Sequence, residues 1–404
     1  MTIHYFGGNT VNEVMLQAFD TLLSKGAKAI SRNGNAVYLN DVEIELYDPR
    51  KRHLCLEGRK SNIFQLIAET LWVMAGKDEL HPYLTHFLPR APNYSDDGLT
   101  WRGAYGPRLH AFDQLQGVVD TFLNDGMTTR RATAFIHDPA KDAPSVIQET
   151  LGGQTRDTPC NLLMLFYTDV DGRFVARTIQ RSGDAIFGAG SINLFEFSFI
   201  QEMVLSCINS GLARRYPEYA PLDLGAYRHS TVNFHLYDAT ASQAVAVMES
   251  EQVTYKKSSG RDCVFPKTIA KCRDMAAEFI DKISIPMLAG VFGMREGVDR
   301  LDELFRKYDV APKDNNLHSY MVLTLAYIAS TNKVCPEKFD LTDYNSYGLA
   351  YDVYEAVQRS SFRKFTLHPG ESVVDTSINR MSSWRSDEVK IVGSKLADLL
   401  RKKM

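Results

Sequence analysis

Two residues in the segment RDTPCNLLMLFYTDVDGRFVARTIQRSGD, 156 to 184, are spaced to do chemistry together: Cys160, opening one apolar run, and Arg181, closing the next. Both runs read as strands around the turn signal Asp169-Val170-Asp171-Gly172. A turn on Val170-Asp171 sets Cys160 directly opposite Arg181; a turn on Asp171-Gly172 sets Arg181 opposite Leu162, beside Cys160. Either register brings the two side chains to one face, because strand side chains alternate with period two. Their Cβ atoms then lie about 5 to 8 Å apart. A guanidinium at that range favours thiolate, the nucleophilic form of cysteine. Its forked donors also suit a phosphate. The plainer reading is a core cysteine near a surface arginine, since free cysteine is among the most buried residue types.

The rest of the chain must supply the frame. With 404 residues, 44% hydrophobic and 24% charged, it is long enough for a large core. A formal net charge of −3 leaves any affinity for polyanions to local clusters. Six cysteines without a CxxC pair argue against a zinc site or a disulfide framework, and fit a reducing, cytoplasmic setting. No run approaches the roughly 18 uncharged apolar residues of a membrane span. The start, MTIHYFGGNTVNEVM, lacks the basic and apolar regions of a secretory signal.

Residues 10 to 25 read as an amphipathic helix, and NAVYLNDVEIELY alternates like strands. A helix runs from a Ser61 cap to Gly76. The stretch PRAPNYSDDGLTWRGAYGPR reads as a long loop, a feature that usually carries function. LHAFDQLQGVVDTFLNDG reads as a helix, RRATAFIHD as a strand, and 142 to 158 as a second polar loop. AIFGAGSINLFEFSFIQEMVLSCINSGL is apolar almost all round, which belongs at the centre of a core. STVNFHLYD adds a strand. Beyond about 250, KTIAKCRDMAAEFIDKI, VDRLDELFRKY, LHSYMVLTLAYIAS, LAYDVYEAVQR and SKLADLLRKKM all look helical. The expected organisation is an α/β (α+β) core over 1–250 and a mainly helical extension over 251–404. The extension adds packing to the core or a dimer; the sharper alternative is a lid or a contact with other replication enzymes.

The order of short motifs resembles the thymidylate synthase family. TPCN around Cys160 is followed by QRSGDAIFG, an Asn-bearing apolar helix and FHLYD. Before them come SRNGN, ETLWVMAG, RGAYG and TTRRATAF. The resemblance covers residues 20 to 250 and implies that family's fold, a large mixed sheet packed by helices. It implies that Cys160 adds to C6 of a pyrimidine nucleotide. Arg181, Ser182 and Arg32 resemble 5′-phosphate ligands, and Gln180 belongs to the same substrate motif. Arg130 and Arg131 resemble a pair that reaches a partner's site, so a homodimer is implied. His235 and Tyr237 resemble sugar-hydroxyl ligands, Glu69 the general acid/base, and Tyr105 the helper in C5 proton removal. Asp184, Gly188 and Trp72 fall on the folate side. The implied co-substrate is 5,10-methylenetetrahydrofolate, with no metal.

The chemistry explains why these residue types belong together. Thiolate addition at C6 makes C5 an enolate-like carbon able to attack a one-carbon unit. A carboxyl relay handles the charge developing at O4. Arginines on the phosphate supply remote binding energy that holds C6 against sulfur.

Three departures bear on the product. Asn161 follows the nucleophile where methylating members usually have histidine. The segment before Tyr105 lacks the family's Trp-rich pattern, and Trp101 does not align with the indole that shields the methylene intermediate. The chain ends LLRKKM rather than in a short apolar tail. With less shielding, water can add to the methylene, which favours nucleotide hydroxymethylation, as in the branch serving bacteriophages with modified pyrimidines, over methylation. An asparagine reads uracil by donating to O4 and accepting from N3–H. Asn193 fits that role if one inserted residue is assumed; if Ile192 occupies the site instead, the base is unread. Uracil, hence dUMP, is the expectation. The alternatives are a thymidylate synthase, a dCMP or CMP hydroxymethylase, and an idle nucleotide- or RNA-binding homologue. The sugar ligands do not separate ribose from deoxyribose.

Overall fold

The computed structural model describes residues 3–31, 34–59, 61–252 and 262–332. Arg32, the LLRKKM end and the two last expected helices lie outside the described residues.

Seven strands form one mixed sheet: β1 (His4–Gly8), β2 (Ala27–Ser31), β3 (Gly34–Leu46), β4 (Thr133–Phe135), β5 (Asn161–Thr168), β6 (Phe174–Asp184) and β7 (Leu224–Tyr237). The order is β1-β3-β7-β6-β5-β4, with β2 also paired to β3. β1–β3 and β6–β7 run parallel; the other pairs are antiparallel.

The β5–β6 hairpin corrects both expected registers. Thr168 pairs with Phe174 and Leu163 with Ile179, so the connection is longer than a two-residue turn. That frame alone would put Cys160 and Arg181 out of step. A bulge between Asn161 and Leu163 restores the parity, pairing Asn161 with Gln180 and setting Cys160 opposite Arg181. A bulge inserts one residue in one strand and re-aims the side chains beyond it.

On the core face lies the helix Leu194–Arg215, entered through a π-helical turn, Gly188–Asn193. Phe195, Phe197 and Phe199 are all fully buried, so the helix is covered on every side, as its composition demands. It is long and apolar enough to cross a membrane, but it is the centre of this core. The helix Ile63–Met74 packs beside it and is capped by the Asn62 side chain rather than by Ser61. Part of the expected 142–158 loop is helical: Pro144–Leu151 starts on a proline, whose fixed φ suits a first turn.

The described C-terminal helices, including Ile269–Glu278, Met294–Lys307 and Asn316–Thr331, join the same hydrophobic core. Tyr320 packs on Phe195 and Phe199 and meets His53 Nε2 at 2.9 Å; Tyr327 packs on Phe64. On Met294–Lys307 the buried residues Val298, Leu301, Leu304 and Phe305 recur at helical spacing. They anchor against the neighbouring helix Asn316–Thr331. The opposite face of the sheet carries ion pairs, Arg177–Glu43 and Arg228–Glu45, and the exposed Phe135 and Val232.

Candidate active site

Cys160 is half-buried at the mouth of β5. The Arg181 main-chain N–H donates to the Cys160 carbonyl at 2.9 Å. Its guanidinium donates to the carbonyls of Pro159 and Thr158, each at 3.0 Å, and Nη2 lies 3.8 Å from Cys160 Sγ. The arginine therefore fastens the approach to the cysteine while facing its sulfur. Arg181 does favour the thiolate, as its position implies, but burial acts against it. Burial pushes the Cys160 thiol above its ordinary value; Arg181 opposes this, while Asp157 and Asp184 add to it. Desolvation disfavours the charged form, and here it outweighs one cation. Alkylation of Cys160 in the free protein, followed by peptide mass spectrometry, should have its pH midpoint above the ordinary thiol value, and Arg181→Gln should raise it further. A midpoint well below that value would contradict this balance.

Asn161, next along β5, is 0% exposed; its amide N–H faces the Tyr105 phenol, and its Oδ1 has no partner among the described residues. Tyr105, at the start of the helix Tyr105–His110, lies beside it. Burial pushes the Tyr105 phenol well above its usual value; Cys160 and Glu196 add to this and Asn161 eases it.

Behind these residues runs a buried polar chain. Gln180 Oε1 accepts from Thr231 Oγ1 at 3.0 Å and faces His229 Nε2 at 3.1 Å. Gln180 Nε2 donates to Asn193 Oδ1 at 2.9 Å, and Asn193 Nδ2 donates to Glu196 Oε1 at 2.9 Å. Burial drives His229 down to about 3, so its ring is neutral. With Gln180 Oε1 accepting, His229 Nε2 carries the proton. A π turn holds one residue more than an α turn. The turn Gly188–Asn193 thereby absorbs the extra residue before Asn193 and brings Asn193, rather than Ile192, to Gln180.

Glu69 is buried on the helix Ile63–Met74, where its Oε2 accepts from Gln65 Nε2 at 3.3 Å. Burial pushes its carboxyl up to about 7, against the smaller pulls of Gln65 and Arg90. Glu196 sits close enough to feel that charge. Burial first, and Glu69 second, hold the Glu196 carboxyl well above its usual range.

On the folate side, Asp184 Oδ1 accepts from the main chains of Ile186 and Phe187, at 2.6 and 3.0 Å. Gly188 lies beside Asn193, where a Cβ would stand in ordinary contact, 3.4 Å, with Asn193 Oδ1. The buried Arg59 donates to the Ile186 carbonyl, and the Arg90 guanidinium lies 3.9 Å above the Phe187 ring. Trp72 is 1% exposed, its indole N–H donates to Glu79, and Trp101 stands edge-on to it. Trp72 thus has no surface to offer a folate in this state; its half-buried neighbour Trp101 has.

The parallel β6–β7 register pairs Asp184 with His235 and Ser182 with Asn233. Burial lowers the His235 imidazole, with Asp184 opposing, and its ring packs 4.8 Å from that of Tyr237. Arg130 and Arg131 stand apart. Both are exposed, and Arg131 pairs with Asp125 at 2.5 Å. Within one chain neither bonds to Cys160, Arg181 or Ser182.

Glu196, Arg90 and Arg59 escape the motif reading. Glu196 had a signal: a carboxyl on a helix apolar all round must find a polar partner or stay neutral. Arg90 sits in an irregular loop, and Arg59 before a helix, where spacing says little.

Comparison with known proteins agrees with the geometry. The family model described as thymidylate synthase matches residues 14–257. The chain is similar to the deoxyuridylate hydroxymethyltransferase of Delftia phage PhiW-14, 36% identical over 345 residues, 84% of this chain and 91% of that protein. It resembles the protein of the same name from Pseudomonas phage M6 at 30% identity over 243 residues, 59% of this chain and 63% of the relative. The Bacillus phage SP01 protein of that name is 27% identical over 248 residues, 58% and 59% of the two chains. An alignment of 345 residues must run past 257, so the Delftia phage relative shares part of the C-terminal helical region. Matched over more than half its length and carrying the nucleophile, arginine and buried carboxyls on the expected strands and helices, the chain belongs to the thymidylate synthase family.

Proposed function

We propose that the protein converts dUMP, 5,10-methylenetetrahydrofolate and water to 5-hydroxymethyl-dUMP and tetrahydrofolate. The carrying observation is the likeness over 91% of a phage protein named for that activity, in a chain that keeps Cys160 against Arg181.

Cys160, deprotonated as substrate enters, bonds to C6; Arg181 and Ser182 hold the phosphate end. Asn193, its amide oriented by Gln180 and Glu196, reads O4 and N3–H of uracil. His235 and Tyr237 meet the sugar hydroxyls. Glu69, titrating near neutrality, gives and takes protons at O4 and C5, the property wanted in a general acid/base. Tyr105 keeps its proton and lies beside Cys160 to assist C5 proton removal. The folate supplies the one-carbon unit. The donor set fits it: Asp184 Oδ2 makes no bond to a described residue and suits the N–H groups of a pteridine, and Phe187 and Trp101 offer flat apolar surface.

The reading includes a homodimer in the host cytoplasm, with the outer sheet face buried and Arg130 and Arg131 reaching the partner's phosphate. The exposed Phe135 and Val232 support this. Mixing a Cys160→Ser chain with an Arg130→Ala/Arg131→Ala chain, each inactive alone, should restore up to about a quarter of wild-type activity by random pairing. No recovery despite mixed dimers would count against it.

The activity test uses C5-tritiated dUMP with methylenetetrahydrofolate, scoring tritium release and dihydrofolate absorbance together. Release without dihydrofolate is expected; release with stoichiometric dihydrofolate means methylation, and release only from dCMP means a cytosine enzyme.

A further inference from the structure

Asn161 is the residue whose chemistry the fold leaves undone. Its side chain is fully enclosed, its N–H faces the Tyr105 phenol oxygen, and its Oδ1 lacks a partner among the described residues. Buried polar groups in native proteins are nearly always hydrogen-bonded, and an orphaned one is destabilising. The β5 bulge holds it there, paired across the ladder with Gln180, next in sequence to Cys160 and beside Tyr105. A buried amide oxygen held unpaired at such a point is built to receive something from the reaction.

Resting on the hydroxymethylation reading, we propose that Asn161 positions the water that attacks the exocyclic methylene. Asn161 Oδ1 accepts one O–H of that water and leaves an oxygen lone pair directed at carbon. The N–H that does not face Tyr105 donates to O4, where negative charge collects in the same step. The water oxygen bonds to the methylene carbon, and the C5–CH2 π pair moves into the C4–O4 enolate. The water's remaining acidic proton passes to the Glu69 carboxylate. The enolate then restores the C4–O4 double bond, C5=C6 reforms, and the C6–S bond breaks with its electrons on Cys160. The balance needs water alone and no oxidant or reductant.

The readout is a ratio: 5-hydroxymethyl-dUMP formed per C5 tritium released, with 2-mercaptoethanol present to trap the methylene intermediate as a thioether. In Asn161→Leu the ratio should fall at least tenfold, with the thioether making up the difference. Asn161→Ser, whose hydroxyl can still hold water, should fall between. Because the orphaned Oδ1 is removed together with the single contact to Tyr105, the melting temperature of Asn161→Leu should stay close to the wild type's. An unchanged ratio in both variants, or a fallen ratio accompanied by a lowered melting temperature in both, would overturn the assignment. Wild-type protein that releases tritium but makes no hydroxymethyl product would instead overturn the underlying function.

Discussion

Replacing Cys160 with serine should reduce C5 tritium release by about four orders of magnitude or more, the scale on which a lost nucleophile registers. That corresponds to roughly 5 kcal/mol of barrier. The substitution leaves the backbone of β5 and the Arg181–Cys160 main-chain bond intact, so the loss is chemical rather than structural. Serine fails because its hydroxyl is far less acidic than a thiol, and the ring carbon needs an anion. Burial already disfavours the Cys160 thiolate, and only Arg181 and the arriving substrate offset that. Nucleotide binding should persist in the variant, measured by titration of dUMP. A serine variant with more than about a hundredth of wild-type release would remove Cys160 from the mechanism.

Glu69→Gln should cost about a hundred- to ten-thousandfold in turnover, the usual range for a general acid/base. The pH dependence is the sharper signature. A carboxyl at about 7 places a limb of the kcat/KM profile near neutrality, and that limb should vanish in the variant. Stability carries the same signature. A folded value of about 7 against an ordinary 4.5 means the native state holds the proton more tightly than the unfolded chain. This contribution is complete below pH 4.5 and is lost as pH rises through 7, about 3 kcal/mol in all. Wild-type melting temperature should therefore fall relative to Glu69→Gln between pH 5 and 8. Parallel curves for the two proteins would show that the carboxyl is not perturbed.

What could be read in the residues was local and periodic. The all-round apolar helix, the strand pair around Cys160 and the order of motifs follow from side-chain type and spacing. What escaped depends on the backbone's departures from regularity. The hairpin register rested on a two-residue turn, yet the longer connection and the bulge at Leu162 together recover the pairing of Cys160 with Arg181. The inserted residue before Asn193 was legible; that a π turn absorbs it was not. Spacing reports the cation that favours the Cys160 thiolate but not the desolvation that opposes it. Trp72 shares a helix face with Glu69, but tertiary packing beneath Trp101 closes it. Neither the Arg90–Phe187 contact nor the Glu69–Glu196 proximity has any sequence period to betray it.

The most direct test is the origin of the product's new oxygen. Run in 18O-enriched water with dUMP and methylenetetrahydrofolate, the protein should yield 5-hydroxymethyl-dUMP carrying one solvent oxygen, with tetrahydrofolate as the other product by mass spectrometry. Thymidylate without solvent oxygen, formed together with dihydrofolate, would contradict the account.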